Sequence, residues 1–137
     1  MEPNTQKPVV VIVEDETLTM RALARLLKSA GVEARTFCSG REFIDRLEVE
    51  PAFRIDCVVL ALQLWDVCGL EVRNYLARQR PKLPVIFLSS VKDEHIRRRA
   101  HAARAAAYFD KPFDGEVLLS TLFGLLKLAP PGRREAI

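Results

Sequence analysis

The chain has 137 residues, of which 49% are apolar and 28% are charged, and its formal net charge is +3. This length and composition predict one globular domain with a single core and leave no room for a second domain. The longest apolar run before the first acidic cluster, Val9 to Val13, is far too short to span a bilayer, so we expect a cytoplasmic protein without a membrane segment. The three cysteines form an odd count without a C-x-x-C pair, which predicts buried free thiols and argues against a disulfide framework or a zinc site.

The first two strands and helices follow from local periodicity. The β-branched run Val9 to Val13 predicts a strand that is buried on both faces. Leucines spaced at i, i+3 and i+4 predict a helix that begins near Thr17 and ends at Gly31, a residue suited to a left-handed cap. A second strand is predicted at Val32 to Phe37, and Ser39 is predicted to cap the helix that follows it.

Three further pairs of strand and helix complete the pattern. The remaining strands are predicted at 57–61, 85–88 and 107–109, and the remaining helices begin near Gly69, Asp93 and Asp114. Five alternating pairs predict an α/β fold, a flavodoxin-like doubly wound parallel sheet of order 2-1-3-4-5 with five helices. We expect residues 1–7 to be disordered, residues 8–128 to form the domain, and residues 129–137 to be a tail or the start of a linker.

Polar residues follow several of the predicted strands. A doubly wound sheet binds ligands at the carboxyl ends of its strands, near the point where the strand order reverses. Glu14-Asp15-Glu16 follows the first strand, Ser89-Ser90 ends the fourth and Lys111 follows the fifth, whereas the third strand ends at Ala61. Carboxylates that hold a metal, with a lysine and a hydroxyl that bind phosphoryl oxygens, are what Mg²⁺-assisted phosphoryl transfer requires.

The chain resembles the receiver domain of bacterial two-component response regulators in four pieces, VVIVEDE, IDCVVLALQLWDVCGLEV, LPVIFLSS and YFDKPF. The resemblance covers about residues 8 to 128. It implies roles for five residues: Asp15 as the main metal carboxylate, Glu14 beside it, Ser89 as the phosphate-sensing hydroxyl, Tyr108 as the switch aromatic and Lys111 as the phosphate-binding cation. It also implies a cis peptide bond between Lys111 and Pro112.

Ala61 stands at the position of the family's phosphate-accepting aspartate. Asp56 lies five positions before it and Gly69 eight after it, as the family pattern requires. Because alanine has no carboxylate to attack a phosphoryl group, we predict an atypical or pseudo-receiver that is not an enzyme and acts by phosphorylation-independent protein contacts. With one carboxylate missing, Mg²⁺ binding is predicted to be weak or absent, and Lys111 is predicted to pair with Asp15 or Glu14.

Two alternatives stay open on the sequence alone. The chain could be a phosphate-accepting receiver, with Asp66 as the acceptor or with Ala61 engineered from aspartate; Trp65 and Arg104, which replace the family's usual proline and glycine, argue against engineering. The chain could also be the N-terminal part of a longer DNA-binding transcriptional regulator, with a linker that starts after Lys127. Trp65 itself either covers the acceptor pocket or marks a binding spot, and Tyr108 is expected to pack rather than to switch.

Basic residues concentrate between Val91 and Arg104, where five Lys or Arg oppose Asp93 and Glu94. In the family that the chain resembles, the fourth helix, fifth strand and fifth helix carry dimerisation and partner contacts. The basic or imidazole residues on this face are Lys92, His95, Arg97, Arg98, Arg99, His101 and Arg104. They predict contact with an acidic protein, a histidine kinase or another response regulator, or a homodimer; a solvated helix face is the alternative. Without interleaved aromatics, nucleic acid is not expected to bind this chain alone.

Overall fold

The computed structural model describes residues 7–90 and 94–127. Five parallel strands form one sheet in the order β2-β1-β3-β4-β5, which confirms the predicted flavodoxin-like topology. The strands are β1 Val9–Val13, β2 Glu33–Phe37, β3 Cys57–Ala61, β4 Val85–Ser89 and β5 Ala107–Asp110. The helices are α1 Thr17–Ser29, α2 Gly40–Val49, α3 Gly69–Gln79, α4 Glu94–Ala102 and α5 Gly115–Leu126.

The sheet has a hydrophobic core on each face. Val11 and Val13 pack on one side with residues of α2, α3 and α4, whereas Val10 and Ile12 pack on the other with residues of α1 and α5. Alternate residues of a strand point to opposite faces, so a strand covered by helices on both faces must be apolar throughout. This explains why the strands β1, β3 and β4 appear in the sequence as continuous apolar runs rather than as alternating ones.

The strand register brings the polar strand ends together. Val13 lies opposite Leu60, Ala61 opposite Leu88, and Ser89 opposite Asp110. Because neighbouring strands lie about 4.8 Å apart, the residues that follow β1, β3, β4 and β5 share one edge of the sheet. This edge is called the crevice below.

Several local predictions are refined. Ser39 caps α2, since its hydroxyl accepts a hydrogen bond from the Glu42 N–H at 3.0 Å, as predicted. The last helix ends at Leu126 because Lys127 takes a left-handed conformation with φ 58°. Burial raises the pKa of Cys57 to about 12, but Cys38 is exposed and Cys68 only half-buried, so the prediction of buried thiols was wrong for these two.

No helix within residues 7–90 and 94–127 is both long and apolar enough to cross a membrane. The predicted disordered N-terminus, apart from Lys7, and the predicted tail lie outside the described residues.

Candidate functional site

A buried ion pair lies at the centre of the crevice. Glu14 continues from β1, where its N–H donates to the Phe37 carbonyl at 3.1 Å, and it is 1% exposed. Its Oε1 lies 2.6 Å from Lys111 Nζ, and its Oε2 accepts a hydrogen bond from the Glu16 N–H at 3.1 Å. The ion pair with Lys111 compensates the buried charge of Glu14, whereas Oε1 accepts no hydrogen bond of ordinary geometry within the described residues.

Lys111 is positioned by the end of β4. Its N–H donates to the Ser89 carbonyl at 2.7 Å, and its peptide bond to Pro112 is cis, as the family resemblance implied. Of the two carboxylates predicted as partners, Glu14 is the one that pairs with Lys111. Glu16, which is exposed, contributes a longer contact at 3.9 Å.

Asp15 is directed elsewhere. Its Oδ2 accepts a hydrogen bond from the backbone N–H of Trp65 at 2.7 Å. This bond ties the segment after β1 to the loop between β3 and α3, and it orients the chain at Trp65.

Ala61 is buried at the floor of the crevice, at the end of β3. The start of α3 approaches it closely, because the Gly69 N–H donates to the Leu62 carbonyl at 2.8 Å. A Cβ atom at Gly69 would overlap the Ala61 carbonyl oxygen and would lie 2.9 Å from Leu62 Cα. Only glycine fits this approach, which accounts for the glycine at this spacing in the sequence.

Gln63 is the crevice residue that the sequence analysis missed. Its Nε2 lies 3.3 Å from Ser89 Oγ, and its Oε1 accepts a hydrogen bond from the Ser90 N–H at 3.2 Å. The side chain therefore joins the end of β3 to the end of β4, where the Ser89 hydroxyl is buried. The sequence feature that could have indicated Gln63 is its position as a polar residue inside the otherwise apolar run Cys57 to Trp65.

The family resemblance implies Mg²⁺, which prefers near-octahedral oxygen coordination. Here both Glu14 oxygens have partners within the chain, one Asp15 oxygen binds the Trp65 N–H, and Ala61 offers no ligand. Within the described part of the chain, no group of three or more His, Cys, Asp or Glu residues could hold a metal ion. These residues, as arranged, do not fit Mg²⁺, and weak or absent Mg²⁺ binding stays a prediction.

Asp66 turns away from the crevice and caps α2. Its two carboxylate oxygens accept hydrogen bonds from the backbone N–H groups of Gly40 at 3.2 Å and Arg41 at 2.8 Å. Partial burial raises the pKa of Asp66, but these N–H groups stabilise the charged form more strongly, so the pKa falls below its ordinary value. The Asp66 carboxylate thus complements the Ser39 cap by accepting from two further N–H groups at the start of the helix.

Some side chains on the face formed by α4 and β5 already contact one another within the chain. Arg97 pairs with Asp110 at 3.0 Å, and its guanidinium carbon lies 5.4 Å from the centroid of the Tyr108 ring. His101 stacks on the same ring at 5.1 Å. Tyr108 is half-buried, and its buried hydroxyl has no hydrogen-bond partner within residues 7–90 and 94–127.

Among the basic residues predicted on this face, Arg97 therefore forms an ion pair within the chain. Arg98, Arg99 and Arg104 are exposed. Lys92 lies outside the described residues. Arg104 has φ 58°, the left-handed conformation for which the glycine usual in the family is better suited.

Comparison with known proteins adds independent evidence. The sequence model of the response regulator receiver domain matches residues 10–123. The chain is 32% identical over 133 residues to response regulator protein TmoT of Ectopseudomonas mendocina, covering 97% of this chain and 59% of that protein. It is 30% identical over 128 residues to TodT of Pseudomonas putida, covering 93% and 55%. The chain thus spans little more than half the length of these curated relatives.

One solved structure matches nearly the full length of both chains. A response regulator receiver protein from Burkholderia phymatum superposes with a TM-score of 0.81 at 42% identity, covering 91% of this chain and 99% of that one. This chain belongs to the family of response regulator receiver domains, which act in two-component signalling.

Proposed function

We propose that this chain is an atypical receiver domain that signals through protein contacts without accepting a phosphoryl group. One observation carries the proposal: β3 ends in a buried alanine, Ala61, where the family's phosphate-accepting aspartate is expected. Phosphoryl transfer to a receiver needs a carboxylate held in line with the phosphoryl donor. A methyl group cannot perform that attack.

The surrounding polar groups support the same proposal. Lys111 binds Glu14, Gln63 binds Ser89 and Ser90, and Asp15 binds the Trp65 N–H. Each of these bonds connects two different segments of the crevice. Groups that would otherwise face a phosphoryl group are thus bonded to one another, and they hold the crevice in a single arrangement.

The geometry disfavours Asp66 as a substitute acceptor. Both of its oxygens are bound to the start of α2, and an attack would require it to leave that cap. The stabilised charge also makes its carboxylate a weaker nucleophile. If Ala61 had been engineered from aspartate, the rest of the site would be intact. Restoring the aspartate would then restore phosphorylation.

A second candidate function is the N-terminal part of a transcriptional regulator. It is favoured by the length of the relatives, among them transcriptional regulatory protein TdiR of Thauera aromatica, of which the chain covers 51%. In that case the protein contacts would be made to an output domain encoded beyond Ile137. Sequencing the gene beyond the codon for Ile137 tests this candidate.

Intact-mass spectrometry after incubation with acetyl phosphate and Mg²⁺ tests the first proposal. We expect no phosphoryl adduct on the parent chain or on Ala61→Asn, a polar control without a nucleophilic carboxylate. Ala61→Asp reports whether the rest of the crevice still supports transfer. An acid-labile adduct on the parent chain that disappears in Asp66→Asn would contradict the proposal and identify Asp66 as the acceptor.

A further inference from the structure

We propose that the loop between β3 and α3 and the adjoining side of α4 form a docking groove for a partner segment that presents an arginine beside a large apolar side chain. The apolar part of the groove is formed by Leu62, Leu64, Val67 and Ile96, and Trp65 belongs to the same lining. This inference rests on the proposed function, since it gives a place and a chemistry to the protein contacts.

The exposed indole of Trp65 is the first observation. The residue is 76% exposed, and it is the only tryptophan in the chain. A side chain this exposed does not cover the acceptor pocket. Its backbone N–H donates to the Asp15 carboxylate at 2.7 Å, so the indole projects from a segment that is anchored to the crevice. Tryptophan is enriched among the residues that dominate binding energy at interfaces, and a fixed backbone lowers the entropy lost on binding.

An apolar cavity adjoins this indole. It has a volume of about 360 Å³ and lies between the β3–α3 loop and α4. Its apolar walls are buried Leu62 and half-buried Leu64, Val67 and Ile96. A cavity of this size has room for one large apolar side chain of a partner.

The two charged residues of the lining, Asp66 and Glu71, are both carboxylates. Asp66 accepts hydrogen bonds from backbone N–H groups at the start of α2, and Glu71 accepts one from the Cys68 N–H at 3.2 Å. Within residues 7–90 and 94–127, neither carboxylate forms an ion pair with a basic side chain. The backbone hydrogen bonds lower the pKa of Asp66, so its charge is kept at neutral pH. The groove therefore presents negative charge on a chain whose net charge is +3.

Both carboxylates come from the same side of the groove. Asp66 belongs to the β3–α3 loop and Glu71 to the first turn of α3, whereas α4 contributes only Ile96 to the lining. Arg98 and Arg99 of α4 are exposed and lie outside this lining. A cation in the groove is thus attracted toward the loop and α3 and repelled from α4, which determines how a basic segment would be oriented.

Arginine is the side chain that matches both the carboxylates and the indole. Its planar guanidinium binds a carboxylate through two parallel hydrogen bonds and also stacks on the face of a tryptophan, whereas the lysine ammonium is a compact, strongly hydrated charge. An apolar side chain next to the arginine would enter the cavity. An acidic segment would be repelled, and a second copy of this chain is a different occupant that the experiment separates.

Trp65 provides a reporter inside the proposed groove. The probes are synthetic peptides of about ten residues, which span about 33 Å when extended, with a leucine between two arginines and no tryptophan or tyrosine. Matched peptides carry lysine, glutamate or the neutral analogue citrulline at both arginine positions. We expect a saturable change in Trp65 emission with a dissociation constant of about 100 μM or below, about threefold weaker binding of the lysine peptide, and at least about tenfold weaker binding of the citrulline and glutamate peptides.

Four variants test the groove by anisotropy of a labelled arginine peptide. Trp65→Ala should weaken binding by at least about tenfold. Asp66→Asn and Glu71→Gln, which keep a side-chain oxygen for the backbone N–H groups, should each weaken it by about three- to fivefold, with a loss that shrinks in high salt. Glu116→Gln removes an exposed carboxylate from α5, on the other face of the sheet, and should leave binding unchanged. Thermal unfolding of each variant checks that the substitutions leave the fold intact.

The proposal is overturned if no arginine peptide binds at about 1 mM, or if the glutamate or citrulline peptide binds as well as the arginine peptide. It is also overturned if Trp65→Ala binds as well as the parent, if Glu116→Gln weakens binding as much as Glu71→Gln, or if sedimentation shows a dimer that Trp65→Ala dissolves. All measurements are made without a phosphoryl donor. A phosphorylated parent chain would therefore refute the proposed function without affecting this result, and absent binding would refute only the groove.

Discussion

Two ion pairs join neighbouring segments of this domain, one in the crevice and one on the face formed by α4 and β5. Glu14 and Lys111 are 2.6 Å apart with side chains 1% and 17% exposed, whereas Arg97 and Asp110 are 3.0 Å apart with side chains 37% and 38% exposed. The geometry is similar, but solvent screens the second pair much more than the first. Burial therefore decides how much the domain depends on each pair.

The two regions also differ in how their segments are joined, by buried contacts in the crevice and by exposed contacts between α4 and β5. In the crevice, the buried Glu14–Lys111 pair joins the ends of β1 and β5, and Gln63 joins the ends of β3 and β4 by binding Ser89 and Ser90. On the other face, α4 is held to β5 by an exposed pair and by the stacking of His101 on Tyr108. Displacing α4 would therefore break an exposed ion pair and a ring contact, whereas displacing the crevice segments would break a buried ion pair.

Removing the lysine from the crevice should have the largest effect. Lys111→Met leaves the Glu14 carboxylate buried without its counter-charge, so we expect the free energy of unfolding to fall by about 3–5 kcal/mol. Urea unfolding at neutral pH measures this loss. The double variant Glu14→Gln with Lys111→Met, which removes both charges, should recover much of it. Equal destabilisation of the single and double variants would show that packing, and not the buried charge, accounts for the loss.

A side chain at Gly69, where α3 lies against the floor of the crevice, should have the second-largest effect on stability. Gly69→Ala places a methyl group against the Ala61 carbonyl and Leu62 Cα, both backbone atoms that cannot rotate away. We expect a loss of about 2–3 kcal/mol in the free energy of unfolding. Gly124→Ala is the matched control, because nothing lies within 4 Å of its Cβ position in α5. It should stabilise the domain by about 0.5–1 kcal/mol, as alanine favours helices. Similar losses in both variants would contradict the proposed overlap.

Removing the Asp66 carboxylate from the start of α2 should have a smaller, pH-dependent effect. Asp66→Ala removes two hydrogen bonds at the start of α2, leaves the Ser39 cap in place and should cost about 1 kcal/mol at neutral pH. The pKa of Asp66 is lowered in the folded state, so its contribution is present above the unfolded pKa of about 3.9 and is lost as the pH falls through the lower folded pKa.

The stability difference between the parent and Asp66→Ala should therefore shrink as the pH drops below about 4. Thermal unfolding of both proteins over the acid range measures it, with Asp66→Asn as a control that keeps part of the cap. A difference that stays constant over this range would mean that the charge of Asp66 does not contribute.

The smallest effect is expected on the α4–β5 face. Arg97→Ala breaks the exposed pair with Asp110 and the contact with the Tyr108 ring, which together should contribute less than about 1 kcal/mol. The loss should decrease further in high salt, as urea unfolding at two ionic strengths would show. Arg98→Ala, an exposed neighbour, controls for removing one positive charge. A loss as large as that of Lys111→Met would remove the distinction between the two regions.

Much of this architecture could be predicted from local pattern. The strand positions and the Ser39 cap depend on apolar periodicity and on residues close in the chain, and the alternation of five strands and helices predicts the doubly wound order. Helix ends were less predictable, since the end of α5 depends on the left-handed conformation of Lys127, which is not a residue typical of that position.

The side-chain partners in the crevice were harder to predict. Gln63 and Ser89 are 26 residues apart, and Asp66 binds residues 25 and 26 positions earlier in the chain. No local pattern marks such contacts, because they depend on how two loops approach each other after the sheet has formed. Arg97 illustrates the same limit, as its turn toward Asp110 follows from the packing of α4 on β5.

The sequence by itself determined the doubly wound sheet, the edge at which its polar residues meet and the alanine at the end of β3. The spacing of the apolar runs predicts the strands and helices, because buried positions along each element must be apolar. The polar residues that follow these runs then mark the edge. Only the tertiary structure decided that Lys111 pairs with Glu14 while Asp15 holds the Trp65 N–H. These adjacent carboxylates leave the end of a strand in different directions, and the packing of the neighbouring loops determines which of them meets the lysine.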